Sequence, residues 1–203
     1  MDATTFFTLN TLLAVGLGVG LSAAVGFRIF VPFTVMSMAA MAGYLDPSPG
    51  FEWVATVPAL IVFITATLLE IGAYYVPWLD NLLDTVAVPA AVVAGAVITA
   101  SVVGDISPMM RWVLAIIAGG GVAGVVQTGT TLLRGASTLT TGGLANPAVN
   151  TAEIAGSLSL AVVTILVPVL ALAIVIALLV LVVRRLVRRR NRTQRITAGD
   201  GGA

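Results

Sequence analysis

Residues 128–147, TGTTLLRGASTLTTGGLANP, hold a dense group of polar side chains in a chain that is otherwise strongly apolar. The stretch contains six threonines, four glycines and Arg134, and a second arginine, Arg28, precedes another short segment at 29–43. Guanidinium groups and hydroxyls bind anions, and glycine-flanked half-helix N termini add a favourable dipole. The sequence therefore predicts an anionic substrate held by Arg28, Arg134, Thr128, Thr130, Thr131, Ser137, Thr140, Thr141 and Asn146.

Three carboxylates lie where they could face these arginines. Glu70 and Asp84 share one predicted helical face, because polar or bulky residues recur there at spacings of four, three, four and three, provided that Pro77 only kinks the helix. Asp80 forms an i, i+4 pair with Asp84. We expect Glu70, Asp80 and Asp84 to act as counter-charges or as a site for a coupling ion.

Three interpretations of the buried charges stay open. An arginine at bilayer depth costs at least about 2.5–3.5 kcal/mol unless it is paired or solvated. Glu70 could form an ion pair with Arg134 or Arg28 that only holds helices together. Alternatively, the arginines and hydroxyls bind an anion in a cavity. In the third interpretation, the carboxylates form a proton or sodium relay.

The composition limits the chemistry and indicates the surroundings. Hydrophobic residues make up 59% of the 203 residues, charged residues only 9%, and mean hydropathy is +1.08, which indicates an integral membrane protein. The chain has no cysteine and no histidine. Thiolate chemistry, the commonest metal ligand and the usual neutral-pH acid–base group are therefore absent. We predict no enzyme activity, no cofactor, no metal site and no catalytic residues.

Hydropathy predicts an all-α polytopic fold with five spanning helices. A span needs about 20 mainly apolar residues, and the qualifying stretches are 10–28, 54–75, 86–103, 112–133 and 155–183. The segments 29–43 and 136–150 are too short, so we interpret both as re-entrant helical hairpins. The whole of 1–192 forms one transmembrane domain, with half one at 10–84, a linking helix at 86–103 and half two at 109–183.

The arginines predict the orientation. Seven of the ten lie between Arg184 and Arg195, and arginine-rich flanks stay on the cytoplasmic side of a membrane. We therefore expect a multi-pass membrane protein with a cytoplasmic C terminus and a disordered tail at 193–203. If 29–43 re-enters, the N terminus lies outside; if it spans, the N terminus lies inside.

An internal similarity predicts a repeat. LAVGLGVGLSAAV at 13–25 aligns with LAIIAGGGVAGVV at 114–126, and GYLDP at 43–47 aligns with GLANP at 143–147. Because 86–103 joins the halves and reverses the second, we predict an inverted-topology repeat. Many transporters have this architecture, with a site near the midplane where broken segments meet.

Several strings resemble those of a family of small bacterial membrane proteins described only as a domain of unknown function. AYYVPWLDNLLD and STLTTGGLANP occur together in that family's order, and the likeness covers about residues 13–165. It implies a membrane location and no particular activity. A weaker resemblance, in architecture alone, is to the DedA-type lipid-phosphate flippases.

Together these features predict a transporter or channel for a small ion or an anionic substrate, such as a lipid phosphate, bound between the two hairpins. The alternative is a structural or accessory membrane subunit, in which buried arginines and acids form interhelical salt bridges. We expect a homo-oligomer in contact with membrane lipids and no nucleic-acid partner.

Overall fold

A computed structural model describes residues 9–104, 106–177, 179–181 and 184, without the side chains of residues 9, 77, 78, 80 and 81. The described residues form helices and turns and contain no strand, so the all-α prediction is confirmed. The α-helices of this part of the chain include α1 (Leu9–Val25), α2 (Phe30–Met41), α3 (Val57–Ala73), α4 (Pro77–Ala100), α5 (Pro108–Leu114), α6 (Gly121–Thr141) and α7 (Asn146–Leu166). A 3₁₀ turn, Glu52–Ala55, precedes α3, and a π-helical segment, Ala115–Gly120, joins α5 to α6.

Local sequence signals set most helix boundaries. The Thr56 hydroxyl accepts the amide hydrogen of Ala59 at the start of α3, and the Ser107 hydroxyl accepts that of Met110 in α5. Both helices have proline in the first turn, where the missing amide hydrogen costs nothing. α6 ends immediately before Gly142, whose φ of +62° is a conformation that glycine adopts without strain.

Consecutive helices run back and forth between two ends of the bundle. We call these the Tyr74 end, with residues 25–29, 73–77 and 134–153, and the Ser48 end, with residues 42–56 and 101–111. Ile29, just before α2, bonds to Glu70 near the end of α3, whereas Ser37 bonds to Val54, just before α3 begins. A re-entrant hairpin would return to the end of the bundle at which it began. Residues 30–41 instead form one helix, α2, that runs antiparallel to α3. The prediction of a hairpin at 29–43 is therefore wrong.

The second predicted hairpin, 136–150, is divided between two long helices and the turn that joins them. Residues 136–141 complete α6, residues 142–145 form a turn, and residues 146–150 begin α7. The helix that ends with residues 136–141 is continuous from Pro108 to Thr141. The segment 136–150 is therefore the tip of the α6–α7 pair and not a separate hairpin.

Among the described residues, three helices are long and apolar enough to cross a membrane, namely Leu82–Ala100 of α4, Pro108–Thr141 and Asn146–Leu166. α1 and α3 are shorter apolar helices of 17 residues each. The predicted span at 155–183 is interrupted at Val167, immediately before Pro168, because proline lacks the amide hydrogen that would continue α7. The chain forms two compact units, residues 1–172 and 173–203, and the described residues of the second unit are helical.

Glycines allow α1, α4 and the π segment to pack closely. A Cβ atom added at Gly95 would lie 2.5 Å from the Cβ of Ala123 and 2.8 Å from the Gly119 carbonyl oxygen. One added at Gly18 would lie 2.8 Å from Thr99. Small residues permit such approaches between membrane helices, and the Gly119–Gly121 run serves this packing at its first two positions.

These contacts also fix the relative direction of the predicted repeats. Gly18 of α1 lies beside Thr99, which also contacts Gly119, and farther along Gly26 lies beside Val126. Residues 13–25 and 114–126 therefore run in the same direction. An inverted repeat requires opposite directions, so the prediction of inversion is wrong.

Candidate functional site

Two buried arginines lie together with two acids at the Tyr74 end. Arg28 Nη2 lies 2.9 Å from Glu153 Oε2, and Arg134 Nη1 lies 3.3 Å from the same oxygen. Arg134 Nη2 also contacts Asp84 Oδ1 at 2.6 Å. Both arginines are 1% exposed. We call Arg28, Asp84, Arg134 and Glu153 the charge cluster; it joins four elements, because Arg28 precedes α2 and the others lie on α4, α6 and α7.

Tyr74 and Asn150 complete the surroundings of the arginines. The Arg28 guanidinium carbon lies 3.8 Å from the centre of the Tyr74 ring and that of Arg134 lies 4.6 Å from it. The Asn150 side chain accepts a hydrogen bond from Arg28 at 3.2 Å and donates one to the Tyr74 carbonyl at 2.8 Å. A cation over an aromatic face is stabilised by the ring quadrupole. Tyr74 is thus fixed against both guanidinium groups.

Gln127 links the charge cluster to α1. With its amide oriented to satisfy both neighbours, its nitrogen donates to the Gly26 carbonyl at 3.0 Å and its oxygen accepts from Arg134 Nη2 at 3.3 Å. Unlike the carboxylates of the charge cluster, this amide adds no charge. The arginines are therefore held by neutral and acidic groups together.

Glu70 bonds to the start of α2 and does not form the ion pair that was considered with Arg134 or Arg28. Its two carboxylate oxygens accept the backbone amide hydrogens of Ile29 and Phe30 at 2.7 and 2.9 Å. These amides belong to the first turn of α2, where a negative charge is favoured. Glu70 therefore caps α2, and the ion pairs of the arginines are with Glu153 and Asp84.

An open cavity of about 1050 Å³ lies between α2, α3 and α4. We call it the groove. Its walls are almost entirely apolar, and α4 lines it from Leu79 to Val97. The other helices contribute four aromatic rings and one carboxylate: Phe30, Phe33, Phe63, Tyr74 and Glu70. Because Tyr74 also contacts both arginines, the groove ends beside the charge cluster.

The threonines of α6 do not gather around the arginines. Thr128, Thr140 and Thr141 are exposed, and each hydroxyl donates to the carbonyl four residues earlier. Thr130 is buried and donates to Gln127 in its own helix. Such bonds satisfy hydroxyls locally within apolar surroundings.

The remaining predicted residues are spread along the helices. Thr131, Ser137 and Asn146 are partly buried, and the Asn146 amide donates to Thr138 at 3.0 Å. The Asp80 side chain lies outside the described part of the structure. Among the described residues, no group of three or more His, Cys, Asp or Glu side chains could hold a metal ion.

Glu153 was missed by the sequence prediction. The signal was present, because Asn150, Glu153, Ser157 and Thr164 recur at helical spacings and all are buried on α7. Ser157 donates to the Ala24 carbonyl of α1 at 2.9 Å. A polar helical stripe in an apolar chain predicts a buried face, and here it contains the acid that both arginines share.

The family assignment follows from comparison with known proteins. A family model described as a domain of unknown function, DUF4126, matches residues 15–188. The chain belongs to the DUF4126 family. The resemblance found in the sequence is thereby confirmed. No curated protein and no solved structure matches the chain.

The DUF4126 match contains every residue of the charge cluster and of the groove. It extends from within α1 to beyond α7 and so covers both features in full.

Proposed function

We propose that this DUF4126 protein is a membrane transporter that binds a small charged or amphipathic solute in the groove. The observation that supports this role is the position of the groove, whose apolar walls end at Glu70 and at Tyr74, the residue in contact with both arginines. Apolar pockets with a few converging polar groups are typical of small-molecule sites. Ionisable residues within membrane domains mark transport pathways in many proteins.

The charge cluster provides the coupling element in this proposal. Arg134 bridges Asp84 of α4 and Glu153 of α7, so a proton on either acid weakens a link between two helices. Asp84 has a side chain that is 20% exposed, against 5% for Glu153. We therefore assign Asp84 as the acid that exchanges protons while Glu153 holds the arginines.

The geometry gives less support to direct anion binding by the arginines. Each guanidinium already faces at least one carboxylate, so two positive charges are matched by two negative charges. An anion would have to displace Asp84 or Glu153. The solute in our proposal therefore contacts the groove and Glu70 first, and the six threonines of 128–141 are not part of its site.

We propose that the bundle lies in the bacterial inner membrane with the Ser48 end on the cytoplasmic side. Arg111 lies at that end and donates to the Pro49 carbonyl at 3.1 Å, and arginines favour the cytoplasmic flank. α1 then runs outward from the cytoplasmic side. On the charge rule alone, we propose that the arginine-rich C terminus is also cytoplasmic. Exposed glycines of α6 at 121, 129 and 135 provide close-packing positions for a homo-oligomer.

Cysteine labelling tests this orientation. Leu144 lies in the α6–α7 turn and Met109 lies near Arg111, and their side chains are 89% and 77% exposed. Because the chain has no cysteine, the unmodified protein is a blank. We expect an impermeant maleimide to label Leu144→Cys on intact spheroplasts and Met109→Cys only after permeabilisation. The reverse pattern would place the Ser48 end outside.

Transport is tested in proteoliposomes under an imposed membrane potential. A panel of small organic cations and anions is offered, and charge movement is followed with a voltage-sensitive dye. We expect at least one solute to give protein-dependent charge movement. Ala90→Trp places a large ring in the groove from an exposed lining position, and we expect it to slow this movement about tenfold or more. Leu133→Trp, on the exposed surface of α6, is the matched control and should not.

The alternative role is a structural or accessory subunit. The observation that favours it is the full pairing of both arginines with acids on α4 and α7, since buried ion pairs also specify helix arrangement in some proteins. A structural subunit predicts no charge movement for any solute and co-purification with a larger assembly. The proteoliposome experiment therefore separates the two roles.

A further inference from the structure

We infer that the groove binds lipophilic cations, an assignment of solute class that rests on the transport role proposed above. Aromatic rings and one carboxylate are the polar and polarisable groups among the described residues that line it. The faces of aromatic rings attract cations, and this attraction grows when water is excluded. An aromatic groove with a single acid thus matches a large organic cation in both shape and charge.

The charge balance at the Tyr74 end of the groove supports a cation over an anion. The two arginines are matched by Asp84 and Glu153, which leaves Glu70 as the additional acid among the described side chains there. The N terminus of α2 offsets about half of an elementary charge. An ionised Glu70 would leave about half a unit of negative charge, which favours a cation over an anion of the same size.

Glu70 keeps the capacity to contact a solute. Each of its oxygens accepts one backbone amide hydrogen, whereas a carboxylate offers about four acceptor positions. Its side chain is partly exposed and lines the groove. Tyr74 lines the groove as well, and its ring contacts both guanidinium groups. A cation in the groove can therefore contact the Glu70 carboxylate and the neighbouring aromatic rings together.

The occupant could instead be a lipid acyl chain, which apolar walls also accept. An acyl chain needs no carboxylate at the end of the groove, and it would bind equally well with Glu70 neutralised. The charge of Glu70 thus discriminates between the two occupants.

Binding of tetraphenylphosphonium to the purified full-length protein in detergent micelles tests the inference. Equilibrium dialysis against protein-free micelles gives the affinity, and tetraphenylborate serves as an anion of matched size and shape. We expect saturable binding of the cation and at least tenfold weaker binding of the anion. Glu70→Gln should weaken cation binding about tenfold or more, and Ala90→Trp should abolish it.

Glu52→Gln is the matched control. The Glu52 oxygens accept the amide hydrogen of Gly50 at 3.0 and 2.9 Å, and these bonds lower the pKa of the carboxyl below its usual value. Glu52 thus resembles Glu70 in having carboxylate oxygens that accept backbone amide hydrogens, but it lies outside the groove. Its substitution should leave cation binding unchanged.

Three results would overturn the assignment: unchanged binding in Glu70→Gln, preferential binding of tetraphenylborate, or no saturable binding of either ion. Because Glu70→Gln alters the cap of α2, Ala90→Trp provides a second test that leaves the cap intact. Charge movement with anions alone would preserve the transport role and remove the cation assignment. Cation binding without charge movement would preserve the cation assignment and remove the transport role.

Discussion

Glu153→Gln is expected to lower the free energy of unfolding by about 3–5 kcal/mol, because it removes one partner of buried ion pairs. Glu153 Oε2 contacts Arg28 at 2.9 Å and Arg134 at 3.3 Å. Without the carboxylate, Arg28 loses its ion pair and Arg134 keeps only Asp84. Both guanidinium groups stay 1% exposed, so water does not replace the lost charge.

Thermal or denaturant unfolding in one detergent measures this effect. Asp84→Asn should lower stability less than Glu153→Gln, since Asp84 forms an ion pair with one of the two buried arginines, Arg134, and its side chain is 20% exposed. Glu52→Gln, at an exposed acid, should change stability by no more than about 0.5 kcal/mol. Equal effects of all three substitutions would contradict the central position of Glu153.

Gly119→Ala is expected to destabilise the protein by about 1–3 kcal/mol through overpacking. An added Cβ atom would meet the Thr99 side chain and the Gly95 carbonyl oxygen, which lies 2.5 Å away. Backbone atoms of α4 cannot move aside as a flexible side chain can. The substitution should therefore separate α4 from the π segment.

Gly121→Ala provides the matched control two residues along the same helix. No heavy atom lies within 4 Å of an added Cβ atom there, and alanine favours a helix over glycine by up to about 1 kcal/mol. We expect neutral or increased stability, measured by the same unfolding assay. If Gly119→Ala were as well tolerated as Gly121→Ala, the close packing of α4 against the π segment would be wrong.

Composition and hydropathy predicted the helical class because they depend on each residue's own chemistry. The positions of α1, α3 and α4 follow from apolar stretches, although α4 begins at Pro77 and not at residue 86. Proline suits a helix's first turn, and this signal at Pro77 was interpreted only as a kink. Local signals thus predicted which helices form, with errors at their ends.

The direction of helices could not be predicted from those signals. Segment 29–43 is short, and its length and the internal similarity favoured re-entry. Its direction depends on the Ile29–Glu70 and Ser37–Val54 bonds. These bonds join residues far apart in sequence. The aligned strings at 13–25 and 114–126 describe glycine-rich packing, which both helices need whichever way they run.

The dependence on long-range packing also explains why only some residues of the candidate site were predicted. Arg28, Arg134 and Asp84 were identified by charge in an apolar chain, and the structure brings them together. Glu153 lies just before the predicted span at 155–183 and was not identified. The threonines of α6 attracted attention by their number, but their hydroxyls bond within their own helix. Residue type predicts a capacity to bind, whereas long-range packing decides which groups meet.

The most direct test of the account is potential-driven charge movement in proteoliposomes, with the wild-type chain, Ala90→Trp and Leu133→Trp reconstituted side by side. The account predicts solute-dependent charge movement for the wild type and for Leu133→Trp. It predicts movement about tenfold slower or more for Ala90→Trp, because only Ala90→Trp fills the groove. Equal rates in all three, or no protein-dependent movement for any solute, would contradict a transport site between α2, α3 and α4.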